Sequence, residues 1–549
     1  RYLLLSPHRP RTTYHIITTQ TRHIDCQDCD WWYYFSRMAY GSISTPPNEE
    51  PPKGVNPMHP PHHRSYVAAL VLMLVSLTTV ITYRMLYPGQ AFSSSSSAET
   101  IKFNTPLLGQ SEPESSALST LSVRGQGVQA VRDDIGMFMA GLQDPYDPLH
   151  NKDGYLVMLV AENKLMWMEM AQKLQQVQNE QEQLPEWIFT YGPATGQADF
   201  VAVMAKLFAK WIHAPVDPRF VKTQAGAGTV LAELSYLLGD TNDGVLVTAP
   251  NYPAFGGDFH VYGGMNLHTV QASASTGFAP TVQELDQVHA ESVAAGHPPR
   301  ILIICQPNNP TGTMYSAATM RLMVEWALSK DLHVVSDEIY ALSVFPGHHT
   351  TSAADIMREI NPDAEKYLGD RVHIVAGLSK DWGLSGFRVG TIFSHNQKLL
   401  DAFDLMGYYA AVSQYTQHAM TQVLSDDAWV DWYIAENQKR LFDTYQAMVD
   451  ALQRIDVPVT PAQGALFAWA DFSSHLLPGQ TENELWHELA TDAKILFTTG
   501  ASCHENKPAM FRVVYPWPEG GPVAMQELGD RLMRWKQKRE DKLKQQEAA

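Results

Sequence analysis

Four short apolar runs stand out in the middle of the chain: Val245–Thr248, Ile301–Cys305, Leu332–Ser336 and Val372–Ala376. Each is too short for a typical helix and is bounded by polar or turn-forming residues, the pattern of a strand buried on both faces. Between and before them apolar positions recur at helical spacing, over Val230–Leu238, Val282–Ala294 and Ala317–Ser329. Strands alternating with helices predict parallel β/α units, and so an α/β fold around a mostly parallel sheet. Such sheets bind ligands at the carboxyl ends of their strands. Asn309, Asp337 and Lys380 come just after three of these runs, which makes them candidate functional residues.

The ends of the chain follow other rules. Residues 1–65 hold three Pro-Pro pairs and no sustained apolar period, and read as a disordered leader. The first residue is Arg rather than Met, with Met38 and Met58 as candidate starts. No charged residue occurs from Ser65 to Tyr83. Residues 66–86 therefore read as a single transmembrane helix, for which about 17–25 residues are needed. A buried core helix or the apolar part of a targeting segment are the alternatives. Arg64 and Arg84 bracket the stretch evenly and leave its orientation open. Residues 87–125, with five serines at 93–97, read as a flexible linker. The expected location is a membrane, through a single-pass N-terminal anchor; loss of the leader would leave a cytoplasmic or organellar protein.

Composition narrows the partners. A formal net charge of −18 argues against a general nucleic-acid binder, which needs a basic footprint. Four cysteines are too few for a disulfide scaffold, and Cys305 and Cys503 read as reduced thiols. Cys26 and Cys29 form a lone CxxC without the second pair of ligands a zinc site requires, so no metal is expected.

The most specific feature is Ser379-Lys380-Asp381-Trp382-Gly383-Leu384-Ser385-Gly386-Phe387-Arg388-Val389-Gly390. It resembles the lysine signature of the class I/II aminotransferases, pyridoxal-phosphate enzymes of fold type I. The resemblance implies that Lys380 carries the cofactor as a Schiff base and is catalytic, and that Arg388 binds its phosphate. Other motifs appear in the family's order. Asn309 lies in Asn308-Asn309-Pro310-Thr311-Gly312 and matches a donor to the pyridine 3-oxygen. Asp337 and Tyr340 lie in Ser336-Asp337-Glu338-Ile339-Tyr340; they match the carboxylate that keeps the ring nitrogen protonated and a second donor to the 3-oxygen. Gly228 and Thr229, in a small-residue turn before a helix, match the phosphate cradle, and Tyr252 the aromatic ring that stacks on the cofactor. Tyr191 matches the tyrosine that reaches the partner subunit's phosphate, which implies a homodimer with shared active sites. Arg512, in Phe511-Arg512-Val513, matches the arginine for the substrate α-carboxylate, where a planar fork serves better than an ammonium.

The resemblance spans roughly residues 140–540. It implies a large domain over 190–425, a smaller α/β domain built from 126–189 and 426–540, and a charged tail at 541–549. Ala161-Glu162-Asn163-Lys164-Leu165, Leu378-Ser379-Lys380-Asp381 and Gly500-Ala501-Ser502-Cys503-His504 are most similar to the 1-aminocyclopropane-1-carboxylate synthase branch. Glu162 then becomes a candidate substrate ligand. There are departures: Gly377 stands where a phosphate-binding Ser is usual, Val201 where an Arg is common, and the stretch around Gln414 is altered. The expected function is amino-group transfer between an α-amino acid and a 2-oxo acid. The alternatives are an elimination lyase acting on S-adenosylmethionine or cleaving a carbon–sulfur bond, and a non-catalytic membrane-tethered binding protein.

Overall fold

The computed structural model describes residues 120–127, 133–181 and 183–548. The predicted leader, the predicted transmembrane helix, Cys26 and Cys29 lie outside these residues, as does most of the linker. Among the described residues no helix is long and apolar enough to cross a membrane.

Seven strands form the central sheet: β1 (Val221–Gln224), β2 (Gly244–Ala249), β3 (Asn266–Gln271), β4 (Pro299–Cys305), β5 (His333–Asp337), β6 (Val372–Gly377) and β7 (Gly390–Ser394). Their spatial order is β1-β7-β6-β5-β4-β2-β3. Only β7 runs against its neighbours; every other pairing is parallel. The four apolar runs are β2, β4, β5 and β6, each one to three residues longer or shifted at its ends. Helices cover both faces, and the side chains divide between them by strict alternation. Val245, Val247, Ile301, Ile303, Val335 and Val375 join one buried cluster, while Leu246, Leu302, Ile304, Val334 and Ile374 join the other. Uninterrupted apolar runs are the necessary sequence of a sheet buried on both sides.

A second group of elements draws on both ends of the described chain. Leu156–Val157 pairs in parallel with Ile495–Leu496. β8 (Phe467–Asp471), β9 (Thr498–Thr499) and β10 (Met510–Val514) form an antiparallel sheet in the order β9-β10-β8. Two 27-residue helices, Asp427–Gln453 and Pro522–Ala548, pack against each other beside it. The second of these runs without a break through residue 540, where the charged tail was expected to begin.

One helix matters most for the site. α1 (Ala227–Leu238) follows β1 after a single turn, with Gly226 as its N-cap at φ 99° and ψ 154°, a conformation open to glycine. A Cβ on Gly226 would collide with the Arg388 guanidinium, and one on Gly390 with the Gly226–Ala227 backbone. Two glycines thus let helix, strand and arginine meet.

Candidate active site

The candidate residues sit where the strands end. Asp337 is the last residue of β5, and Lys380 lies three residues past β6. Asn309 follows β4, and Tyr340 lies in the turn after Asp337. Arg512 reaches the same place from β10, opposite Thr498 in register. Lys380 Nζ donates to the Ala161 carbonyl at 2.6 Å. Arg512 Nη1 donates to Asn309 Oδ1 at 2.9 Å, and Asn309 Nδ2 to Tyr340 Oη at 3.4 Å. Segments far apart in the chain are thereby joined, Lys380 to Ala161 and Arg512 through Asn309 to Tyr340.

The electrostatics suit a reactive lysine. Burial, with Arg512 nearby, brings the Lys380 amine down from 10.5 to about 8, against the opposing pull of Glu162 and Asp337. The same burial pushes the Asp337 carboxyl up to about 7, although the Ile339 N–H and Lys380 favour its charge. Asp258, on the helix Phe255–Gly263 beside Asp337, is also pushed up to about 7, by burial and by Asp337. Cofactor loading of the unloaded protein should therefore accelerate with pH and level off above about pH 8, where the amine is neutral. Stopped-flow absorbance measures this directly. A rate still climbing toward 10.5 would mean that Lys380 is not desolvated.

Arg512 is held in advance of any ligand. Nη2 donates to the Leu159 carbonyl at 2.7 Å and to Thr498 Oγ1 at 3.1 Å. Three of its five N–H donors are thus taken, and Nε, buried, has no partner. The Nε–H and one Nη1–H remain, on opposite edges of the guanidinium, so a two-pronged bond to a carboxylate requires Nη2 to release Leu159 or Thr498. Arg512→Lys should raise KM for amino-acid substrates about 10- to 100-fold with a smaller effect on kcat, since charge-assisted hydrogen bonds contribute roughly 1.5–3 kcal/mol. Steady-state kinetics with one donor substrate checks it.

The phosphate side is built around Gly226. Arg388 adopts φ 53°, donates from Nη1 to the Ser385 carbonyl at 3.0 Å, and lays its guanidinium on Gly226. Gly228 and Thr229 occupy the first turn of α1. The Thr229 hydroxyl donates back to the Ala225 carbonyl at 3.0 Å. The Gly377 departure has a steric cause. A Cβ there would stand 2.5 Å from the Val389 carbonyl oxygen, so a side chain does not fit between β6 and β7. Restoring the usual residue as Gly377→Ser should cost about 1–3 kcal/mol of stability, the range for overpacking, without tighter phosphate binding. Denaturant unfolding of the unloaded protein and the cofactor dissociation constant test the two halves.

Other candidates lie where single chains leave them. Tyr252 packs edge-on against Phe255, with ring centroids 5.2 Å apart. Glu162 is half-buried, and its Oε2 accepts from Trp517 Nε1 at 3.2 Å. Tyr191 is 98% exposed, two residues past the short helix Glu186–Phe189. Sequence reasoning missed Asp258, Thr498 and Trp517. Asp258 is an acid six residues past Tyr252. The other two carry no local signal, because each is defined by a partner hundreds of residues away.

The residues fit pyridoxal phosphate. A buried carboxyl at Asp337 lacks a direct cationic partner that a ring N–H would supply. A glycine-capped helix start meets an arginine, and a desolvated lysine lies within electrostatic reach of both Asp337 and that arginine. A parallel sheet bearing such a constellation defines a pyridoxal-phosphate enzyme of fold type I. The model of the family "Aminotransferase class I and II" matches residues 157–532, and the chain belongs to that family, whose members depend on this cofactor. The chain is 31% identical over 440 residues to 1-aminocyclopropane-1-carboxylate synthase 4 of Oryza sativa subsp. japonica, covering 74% of this chain and 86% of that protein. It is 29% identical over 384 residues to the 1-aminocyclopropane-1-carboxylate synthase of Malus domestica, covering 68% and 81%. Among solved structures, Thermus thermophilus aspartate aminotransferase with maleate superposes with a TM-score of 0.63 at 16% identity, over 76% of this chain and 100% of that one. The aromatic aminotransferase of Pyrococcus horikoshii OT3 gives 0.59 at 19%, over 73% and 99%. At such identities the two structures speak for the fold.

Proposed function

We propose that this protein transfers the amino group of an α-amino acid to a 2-oxo acid. One observation carries the reading: a lysine brought down to about 8 lies within electrostatic reach of an arginine that keeps two donors free. Arg512 would bind the α-carboxylate and so fix the direction of Cα. Lys380, once released from the cofactor, would move a proton at Cα, a role that a neutral amine near operating pH performs well. Bound pyridoxal phosphate supplies a carbonyl for the amino group and a protonated ring that withdraws electrons. Asp337 would hold the ring nitrogen, Asn309 and Tyr340 the 3-oxygen, and Arg388, Gly228 and Thr229 the phosphate, with Tyr252 against the ring.

A second reading, elimination from S-adenosylmethionine, is favoured by the names of the curated relatives and by Glu162 near Lys380. Proton removal at Cα is common to both reactions. Incubation of the cofactor-loaded protein with a panel of amino acids plus 2-oxo acids, and with S-adenosylmethionine alone, separates them. New 2-oxo acid supports transfer; methylthioadenosine or free thiol without an acceptor supports elimination. No product from any donor would support the non-catalytic alternative. The reading includes a homodimer with shared sites, in which the exposed Tyr191 would serve the phosphate of the partner subunit.

A further inference from the structure

Glu162 does not stand alone at the substrate side. Its Oε2 accepts from the Trp517 indole at 3.2 Å, and Trp is a donor only, so the carboxylate is held in one direction. Two residues on, the Lys164 ammonium lies 3.3 Å from the Trp517 ring centroid and 4.9 Å from that of Trp167. The Lys164 backbone N–H donates to the Pro516 carbonyl at 3.0 Å, which fastens the 162–164 segment against the 516–517 turn. The indole edge therefore meets a carboxylate while its face meets a cation. Burial disfavours the Lys164 charge, and Glu162 and Glu519 support it. On its outer side Lys164 borders a cavity of about 450 Å³ with Trp167, Met168 and Arg440. Glu162 also acts on Lys380, whose amine bonds the adjacent Ala161 carbonyl.

A lone carboxylate in this place would draw in any cationic side chain. A second, opposite charge on the same indole cancels much of that attraction, since Coulomb energy falls only as the inverse of distance in a partly desolvated site. We infer that Lys164, seated on Trp517, is a specificity-determining residue: it screens Glu162 and biases the site toward amino acids with neutral side chains and away from those carrying a sulfonium or ammonium. This rests on the reading that Glu162 faces the substrate.

Methionine and S-methylmethionine make the test, since they match in length and differ in charge. Calorimetry on the cofactor-loaded protein gives the ratio of their dissociation constants. Lys164→Met should shift the ratio about tenfold toward the sulfonium, and Lys164→Gln should do the same where the first variant fails to accumulate. Lys164→Arg should keep the wild-type ratio. Glu162→Gln should shift it the other way. A ratio unmoved in Lys164→Met and Lys164→Gln but moved in Glu162→Gln overturns the screening role and leaves Glu162 at the substrate. A ratio unmoved in all of them removes Glu162 from the substrate and the inference with it. A shift in Lys164→Arg equal to that in Lys164→Met assigns the effect to shape and overturns it as well.

Discussion

Replacing Lys380 with alanine should lower turnover by more than about 10⁴-fold while the protein stays folded. Two losses combine: the amine that attaches the cofactor, and the group that moves the proton at Cα, which alone contributes about 10²–10⁴-fold. The fold should tolerate the change. Lys380 donates one hydrogen bond, to Ala161, and its ammonium form is disfavoured by burial, so its removal takes little from the native state. Circular dichroism and the unfolding midpoint of the unloaded proteins check that half. Borohydride reduction of the wild type should fix the cofactor on the peptide containing Lys380. Label on another lysine would remove the assignment, whatever the variant's activity.

Asp337→Ala should lower kcat/KM by about 10²–10⁴-fold. The reason is the charge it would leave behind. A ring nitrogen in a dry site that loses its carboxylate costs about 3–5 kcal/mol, at roughly 1.4 kcal/mol per factor of ten. The unloaded protein should behave in the opposite sense. The Asp337 carboxyl is raised from 3.8 to about 7 in the folded state, so wild type is penalised as pH rises from about 4 through 7, when the unfolded chain releases its proton first. Asp337→Asn removes that penalty, and the unloaded variant should be more stable than wild type above about pH 7. Unfolding curves at pH 5 and pH 8, with and without cofactor, expose the crossover. A variant less stable than wild type at pH 8 when unloaded would make Asp337 a structural residue.

The acid beside it shows how sequence and structure share the work. Asp337 and Glu338 are neighbours in one motif, and both carboxyls are raised to about 7 by burial. Glu338 is fully used inside the fold, accepting from Trp211 Nε1, Ser336 Oγ, Ser352 Oγ and the Ala353 N–H. Asp337 accepts only the Ile339 N–H, at 3.3 Å. Asp381 repeats the lesson after Lys380: it accepts from Ser343 Oγ and the Leu342 N–H and anchors a loop. A motif places acids in the right region, and only the partners of each show which one is left for a ligand.

The sequence by itself determined the strands of the sheet and the cofactor. Strands buried on both faces must be apolar runs, and the family's lysine–arginine motif is a local spacing, so both were legible in the chain. Gly377 was legible as a departure, but its cause is the approach of the Val389 carbonyl from the neighbouring strand. Tertiary structure alone decided what converges. Arg512 meets Asn309 across 203 positions, Lys380 meets Ala161 across 219, and Trp517 meets Glu162 across 355. Such contacts leave no periodicity in the chain. They exist because the two ends of the described chain pack together and bring their side chains to the carboxyl end of the sheet, and that packing is a property of the whole fold rather than of any segment.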